Sequence, residues 1–345
     1  VLPEVEAWLR SRTTTWSDWP LPALMAAKGD TTISVVLPAR DERDTVGGIV
    51  GAIRRDLMDA VPLVDELVVI DSRSTDDTAA QAARAGAAVH AQDEILPGLK
   101  PLDGKGEALW KSLAVTSGDL LVFIDSDLRQ FTTAFVTGLL GPLLADPAVA
   151  YVKGCYERPF EDQPAGGGRV TELVARPLLN LHWPLLAGFA QPLAGEYAGR
   201  RSALERVPFV TGYGVELGLL IDLLDLAGLD ALAQVDLGRR VHSHQSTEAL
   251  GGMAAQILHT AWARLDRQHK IIPLHTPSPR LSQFRRGVSG PTVTTRDVSV
   301  PERPPMLTVE GYPRGSGGSG LATGAATGAE TGAETGAETG ADSPA

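Results

Sequence analysis

Leu120-Leu121-Val122-Phe123-Ile124-Asp125-Ser126-Asp127 is the stretch on which the fold turns. An unbroken apolar run of this length, closed by acidic residues, reads as a strand buried on both faces. Asp125-Ser126-Asp127 then lies at its C-terminal end. Upstream, Ile33-Ser34-Val35-Val36-Leu37 is a similar run ending at Pro38, followed by a predicted helix over Thr45 to Met58. Leu67-Val68-Val69-Ile70 is a second buried strand that stops at the turn-rich Asp71-Ser72-Arg73-Ser74-Thr75-Asp76-Asp77. A helix begins near Asp76, and Ala87-Ala88-Val89-His90 is a third short strand. Gly104-Lys105-Gly106 opens a helix to about Thr116. Strands alternating with helices imply an α/β fold with a doubly wound, mostly parallel sheet. Ligands of such sheets bind beyond the C-terminal ends of the strands. Arg40 to Glu42, Asp71 to Ser74 and Asp125 to Asp127 all fall there.

The second half has a different texture. Gly166-Gly167-Gly168-Arg169 reads as a basic loop before a helix from Val170 to Leu186. A further helix covers Val215 to Leu226. Val235-Asp236-Leu237-Gly238 reads as a strand running into Arg239-Arg240-Val241-His242-Ser243-His244, and a last helix spans Glu248 to Gln268. The expected organisation is a helix and arm over 1–30, a first α/β half over 31–160 and a second, more helical half over 161–270. An extended C-terminal segment over 271–314 and a low-complexity tail over 315–345 follow. The tail carries Thr-Gly-Ala-Glu repeats from Thr327, Thr331 and Thr335, which cannot bury a core.

Composition narrows the function. With 43% hydrophobic and 21% charged residues over 345 positions, the chain can bury a core without disulfide or metal staples. Its single cysteine, Cys155, excludes a disulfide framework within the chain, fits a reducing cytoplasm, and reads as a small buried residue. A net charge of −11 with no basic stripe argues against nucleic acid as partner, so cations for anionic substrates must be gathered locally. No apolar run reaches the roughly 18–20 residues of a membrane span, so no stable membrane insertion is expected. The start Val1-Leu2-Pro3-Glu4 does not read as a secretory signal. Trp8, Trp16 and Trp19 are expected to pack on the main body.

Four groups of residues carry chemistry. Two carboxylates beyond a strand, Asp125 and Asp127, can bind a hard divalent cation, although an Asp-x-Asp alone serves equally well as a solvated turn or helix cap. Neutral His242, after a predicted strand, can complete such a site, or can be a hydrogen-bonded structural residue. Lys105, between two glycines, is a lysine that permissive backbone can bring close to phosphate, or an ordinary helix-start lysine; the P-loop spacing is absent. Gly168, Arg169 and Thr171 combine backbone N–H groups, a guanidinium, a hydroxyl and a helix start, which suit a phosphate or carboxylate.

Together these segments resemble the actinobacterial glucosyl-3-phosphoglycerate synthases, and more distantly the GT-A transferases related to glycosyltransferase family 2. The resemblance rests on Val35-Val36-Leu37-Pro38-Ala39 with Glu42, on Asp71-Ser72 with Ser74-Thr75-Asp76-Asp77-Thr78, and on Gly104-Lys105-Gly106-Glu107-Ala108-Leu109-Trp110. It continues through Phe123-Ile124-Asp125-Ser126-Asp127, the run from Gly166 to Leu179, Gln191-Pro192-Leu193 with Gly195-Glu196-Tyr197-Ala198, and Gly212-Tyr213-Gly214-Val215-Glu216. It spans about residues 5 to 306. The Gly-rich loop and the Gly-Tyr-Gly-Val-Glu piece are its most specific parts.

The resemblance implies a GT-A fold with a C-terminal helical extension, in which 31–160 is the nucleotide-sugar-binding half and 161–270 the acceptor-binding half. It implies transfer of glucose, with retention, from UDP-glucose to the 2-hydroxyl of 3-phosphoglycerate, with Mg2+ as cofactor and Mn2+ or Co2+ as substitutes. It implies that Pro38, Ala39, Glu42, Ser72, Lys105 and Ser126 face the nucleotide-sugar donor. Asp127 and His242 would hold the metal, with Asp125 beside the sugar. Glu216 would grip sugar hydroxyls and Tyr213 would line the pocket. Gly168, Arg169, Thr171 and His244 would receive the acceptor, and Arg240 would add positive charge near both substrates. Asp125, Lys105, Glu216 and Arg240 would thus be the catalytic set, and a homodimer is expected. The chain departs from the family pattern at Arg40-Asp41, Arg73 and His244. Because the first two lie near the donor's base and ribose, a related branch using GDP-mannose to make mannosyl-3-phosphoglycerate stays open. So do a transferase acting on a polyprenyl phosphate or polysaccharide, a nucleotidyltransferase and a non-enzymatic nucleotide-binding protein. The expected mechanism is front-face attack, with the donor's own phosphate oxygen taking the acceptor proton.

Overall fold

Twelve strands form in the structure, a computed structural model that describes residues 1–157, 168–240, 246–287 and 290–312. In chain order they are β1 (Thr13–Thr15), β2 (Ile33–Ala39), β3 (Glu66–Asp71), β4 (Ala88–Ala91), β5 (Leu120–Phe123) and β6 (Tyr151–Glu157). β7 (Tyr197–Arg200), β8 (Phe209–Val210), β9 (Leu232–Arg239), β10 (Arg280–Gly287), β11 (Gly290–Asp297) and β12 (Glu302–Arg303) follow. Eight of them make one sheet in the order β1-β9-β6-β7-β5-β2-β3-β4. Every neighbouring pair in it is parallel except the two made by β7, which runs against β5 and β6. The mostly parallel, doubly wound sheet expected from the sequence is therefore present.

Alternation along the strands explains why both faces are covered. Val36, Leu121 and Phe123 belong to a core shared with Trp110, Leu217 and Leu220 from helices Lys105–Val115 and Val215–Ala227. Val35, Leu37 and Val122 point the other way, into a core with Ile49, Ile53 and Leu139 from helices Val46–Arg54 and Ala134–Ala145. Fully burying one such side chain contributes about 1.5–3 kcal/mol, so a charge at Val122 would disrupt the centre of the sheet.

The N-terminal segment completes the sheet. Trp8 is buried, donates from Nε1 to the Leu232 carbonyl at 2.7 Å and packs on Phe189. Trp19 joins the second core, whereas Trp16 stays exposed, so the expected packing holds for two of the three tryptophans.

Several local readings change. The helix expected over Val170–Leu186 is a wide turn at Thr171–Ala175, a short helix Arg176–His182 and a 3-10 turn at Pro184–Leu186. Pro184 disfavours helical backbone at Trp183, which adopts ψ 62°. The first long helix likewise ends at Arg54 and continues as a wide turn, Arg55–Asp59. Within the C-terminal segment the structure places an antiparallel hairpin of β10 and β11, which the sequence reading did not anticipate. β12 then pairs with β8. Gly166, Gly167, His242, His244 and the tail from Gly315 lie outside the described residues.

Candidate active site

Register gathers the polar groups at one edge of the sheet. Parallel pairing sets Ala39 opposite Asp71, so β2 and β3 end together; Phe123 stands opposite Val36, so Asp125-Ser126-Asp127, just past β5, runs beside the end of β2. The Ser72 N–H donates to the Ala39 carbonyl at 2.8 Å, and the Ile124 N–H to that of Val36 at 3.1 Å, which carries the order past the strand ends. Antiparallel β7 places Tyr197 opposite Phe123, so its start, Gly195-Glu196, meets the end of β5. β9 runs parallel to β6, and the Arg240 N–H donates to the Glu157 carbonyl at 3.1 Å, delivering Arg240 to the same edge. Two helix starts, at Lys105 and near Glu216, supply the remaining charges.

These residues form one charged cluster. Lys105 Nζ lies 2.5 Å from Asp125 Oδ1 and 3.0 Å from Glu216 Oε1. Arg240 Nη2 lies 3.0 Å from Asp125 Oδ2, 2.9 Å from Asp127 Oδ1 and 3.4 Å from Glu196 Oε1. Arg240 Nη1 donates to the Tyr156 hydroxyl at 2.7 Å, which in turn donates to Glu196 Oε2 at 2.7 Å. Burial alone would raise the Asp125 carboxyl, but Lys105 and Arg240 outweigh it and hold the group well below the usual carboxylate range. Burial opposes the Lys105 charge, and Asp125 and Glu216 overcome it, keeping the ammonium protonated far above its ordinary range. Burial and then Asp127 push the Glu42 carboxyl upward.

Close packing explains the glycines. A Cβ on Gly104 would stand 2.2 Å from the Thr211 carbonyl oxygen, and one on Gly106 would stand 1.8 Å from that of Val210. Gly104 also has φ 111°, in the region that favours glycine. Lys105 is thus held against the 210–212 backbone, which leads directly into the helix that carries Glu216. Gly212 and Gly214 pack on Gln256 and Thr260, and the Tyr213 N–H donates to Gln256 Oε1 at 3.0 Å. That leaves the Tyr213 ring 54% exposed.

The other predicted residues that the structure describes have defined places, whereas His242 and His244 lie outside the described residues. Ser126 turns inward and donates to the Pro38 carbonyl at 2.7 Å, while Thr45 Oγ1 donates to the Ser126 carbonyl at 2.6 Å. The Ser126 side chain thus locks the β5 end to the β2 end. Thr78 Oγ1 accepts from the Glu42 N–H at 2.7 Å. Asp41, at φ 56°, accepts from the Thr75 N–H at 2.7 Å, and Arg73, at φ 63°, forms ion pairs with Asp93 and Asp103. Gly168, at φ 91°, accepts from the Glu172 N–H at 3.1 Å, and Thr171 is buried beside it. Arg169 Nη1 lies 3.4 Å from Thr247 Oγ1. Cys155 is buried, and burial pushes its thiol up to about 12, as suits a packing residue.

Two groups escaped the sequence reading. Glu196 and Tyr156 are buried members of the charged cluster, brought in only by the antiparallel β7 and by β6. The motif around Glu196 was visible in the sequence; its charge partner was not.

The donor set suits a hard divalent cation. The Asp127 side chain is 41% exposed at the strand end, and Mg2+ is commonly held by one or two carboxylates together with substrate phosphates. Among the described residues no group of three or more metal-type side chains gathers.

The family model for glycosyl transferase family 2 matches residues 34–205. A glucosyl-3-phosphoglycerate synthase from Mycolicibacterium paratuberculosis is 46% identical over 314 residues, 88% of this chain and 92% of that protein. A mannosyl-3-phosphoglycerate synthase from Rubrobacter xylanophilus superposes with a TM-score of 0.83 at 40% identity, covering 88% of this chain and 99% of that one. A glucosyl-3-phosphoglycerate synthase from Mycobacterium tuberculosis, solved with Mn2+, UDP-glucose and phosphoglyceric acid, superposes with a TM-score of 0.75 at 47% identity. It covers 86% of this chain and 98% of that one. The same protein has been solved with Mg2+ and UDP.

Proposed function

We propose, because this chain belongs to the glucosyl-3-phosphoglycerate synthases of glycosyl transferase family 2, that it moves glucose from UDP-glucose to the 2-hydroxyl of 3-phosphoglycerate. It is a glycosyltransferase of the GT-A fold that works with a divalent metal. The observation that carries the reading is the position of Lys105 between Asp125 and Glu216, with Arg240 on the far side of Asp125.

Asp127 and His242 are assigned to the metal, and the bound cation neutralises charge that develops on the departing diphosphate. Lys105 supplies fixed positive charge beside that diphosphate. Held protonated by two carboxylates, it cannot serve as a base. Asp125 stays ionised, so it cannot protonate the leaving group. Glu216 accepts from sugar hydroxyls. Pro38, Ala39, Glu42 and Ser72 frame the nucleotide, with Ser126 bracing the Pro38 end and Tyr213 lining the pocket. Gly168, Arg169, Thr171 and His244 receive the acceptor.

Carboxylates neutralised by Lys105 and Arg240 are weak nucleophiles, which supports front-face attack with the donor's phosphate oxygen taking the acceptor proton. Recovery of a glycosyl-enzyme adduct by mass spectrometry would overturn that mechanism. The assay is purified protein with 3-phosphoglycerate, Mg2+ and four nucleotide sugars; release of UDP from UDP-glucose is expected. The Rubrobacter structure makes GDP-mannose the second donor to test, and release of GDP would move the assignment to mannosyl transfer. No release with any donor would sink the acceptor assignment.

Homodimerisation and a cytoplasmic location complete the proposal. A free, buried Cys155 accords with the second. No helix among the described residues is long and apolar enough to cross a membrane.

A further inference from the structure

We infer that Gln92 is a positioning residue of the donor site, which ties the nucleotide-facing Ser72 and the segment delivering Lys105 into one unit. The inference rests on the donor-site reading above. Gln92 is only 2% exposed, and both ends of its amide are engaged. Its Oε1 accepts from the Ser72 hydroxyl at 2.9 Å, and its Nε2 donates to the Leu102 carbonyl at 3.0 Å. Ser72 leaves the end of β3, whereas Leu102 stands three residues before Lys105. One side chain therefore spans the two segments that the donor must touch at once.

What anchors Gln92 comes from far along the chain. Its carbonyl accepts from Lys111 Nζ at 2.8 Å, and Lys111 lies 3.5 Å from Glu107 Oε1. Arg303, on β12, grips Glu107 with two bonds of 2.6 Å and donates to the Lys100 carbonyl at 2.6 Å. Glu107 and Lys111 are fully buried. Charged groups so enclosed stabilise little beyond what their desolvation costs, and their best-attested use is to fix one arrangement. Here the arrangement fixed is the seat of Gln92. On the solvent side Arg73 pairs with Asp93 and Asp103, the neighbours of Gln92 and Leu102, which clamps the same two segments from above. An amide held at both ends inside such a frame is rigid, and losing it frees Ser72 and the 102–104 turn to move independently.

The test compares Gln92→Met, which removes the amide, with Gln92→Glu, which keeps an oxygen facing Ser72 but loses the donor to Leu102. Steady-state kinetics for both substrates, UDP binding by calorimetry and thermal melts are measured on the full chain. Gln92→Met is expected to raise donor KM tenfold or more while acceptor KM stays within twofold. Gln92→Glu is expected to recover at least half of that loss on a logarithmic scale. Should Gln92→Met fail to fold, Gln92→Glu alone decides: a raised donor KM at constant acceptor KM supports the role, and no change overturns it. Equal losses for both substrates, or losses that merely follow the melting temperature, also overturn it. UDP-glucose binding by the unaltered protein separates the two readings: its absence would defeat the donor-site assignment itself, whereas normal binding with an unchanged donor KM in the variants would overturn the role of Gln92 alone.

Discussion

Gly195 lies directly against Asp125: a Cβ at position 195 would stand 2.0 Å from Asp125 Oδ2. The antiparallel pairing of β7 with β5 causes this approach. Gly195→Ala therefore has to push the carboxylate off Lys105 and Arg240. Overpacking of this kind costs about 1–3 kcal/mol. The melting temperature should fall modestly, while kcat drops about a hundredfold because misplacing a charged group by about an ångström disrupts the reacting geometry. Full activity in Gly195→Ala would show that Asp125 need not stay where the structure holds it.

Removing Lys105 tests electrostatic catalysis. Lys105→Ala should lower kcat by about 10²–10³, the range seen when one preorganised charge-stabilising donor is lost. Lys105→Arg should restore little, because Gly104 and Gly106 seat this lysine against backbone with no room to shift. Rapid-quench measurement of the chemical step distinguishes this loss from slow product release.

Arg240 holds the carboxylates of Asp125, Asp127 and Glu196 apart while remaining only 6% exposed. Arg240→Ala removes the cation beside buried Glu196 and leaves Asp125 with Lys105 alone, and breaking a buried pair in this way costs about 3–5 kcal/mol. Urea unfolding should show a lower midpoint at unchanged slope.

Lys153 carries a pH signature. It is fully buried above the Tyr197 ring, 4.5 Å from its centroid, and burial pushes its ammonium down to about 7. Folded protein releases this proton near pH 7, whereas the unfolded chain keeps it to about the ordinary lysine range near 10.4. Between those values the unfolded state binds more protons, so this group makes stability rise with pH across the window. Lys153→Met should raise stability most below pH 7 and flatten that rise. Unfolding curves at pH 6, 8 and 9.5 read it directly; an identical slope in both proteins would exclude the lysine as its source.

Metal dependence should appear at Asp127. Chelation with EDTA should abolish turnover and Mg2+ should restore it. Asp127→Ala should lose the additional rise in melting temperature that Mg2+ produces in the presence of UDP, since a ligand bound only to folded protein stabilises it. An undiminished rise would place the metal elsewhere.

Much of this architecture was legible in the chain. The apolar runs Ile33–Leu37, Leu67–Ile70 and Leu120–Ile124 have the length and side-chain character of buried parallel strands, and they are strands. Lys105 between glycines read as a lysine that permissive backbone could deliver to phosphate or as a helix start; it does start a helix, and its packing against the 210–212 backbone emerged only from the structure. Other features had no local signal. β7 is short, and Tyr197 to Arg200 contains neither a long apolar run nor a clean alternation. The wide turns at Arg55–Asp59 and Thr171–Ala175 sit inside otherwise helical patterns. The β10–β11 hairpin is mostly exposed, so burial could not stamp a pattern on it.

By itself the sequence determined that Asp125-Ser126-Asp127 would stand at the end of a buried strand, because only a sheet covered on both faces accommodates Leu120 to Ile124. It also determined which side chains could carry charge toward a diphosphate. Tertiary structure alone decided how those charges balance. Lys105 meets Asp125 across 20 residues and Glu216 across 111, while Arg240 reaches Asp125 across 115. Such pairings depend on strand order and on the reversed direction of β7, which no local pattern encodes. Asp125 is an ionised, immobile carboxylate for that reason: two cations from distant parts of the chain close on it from opposite sides.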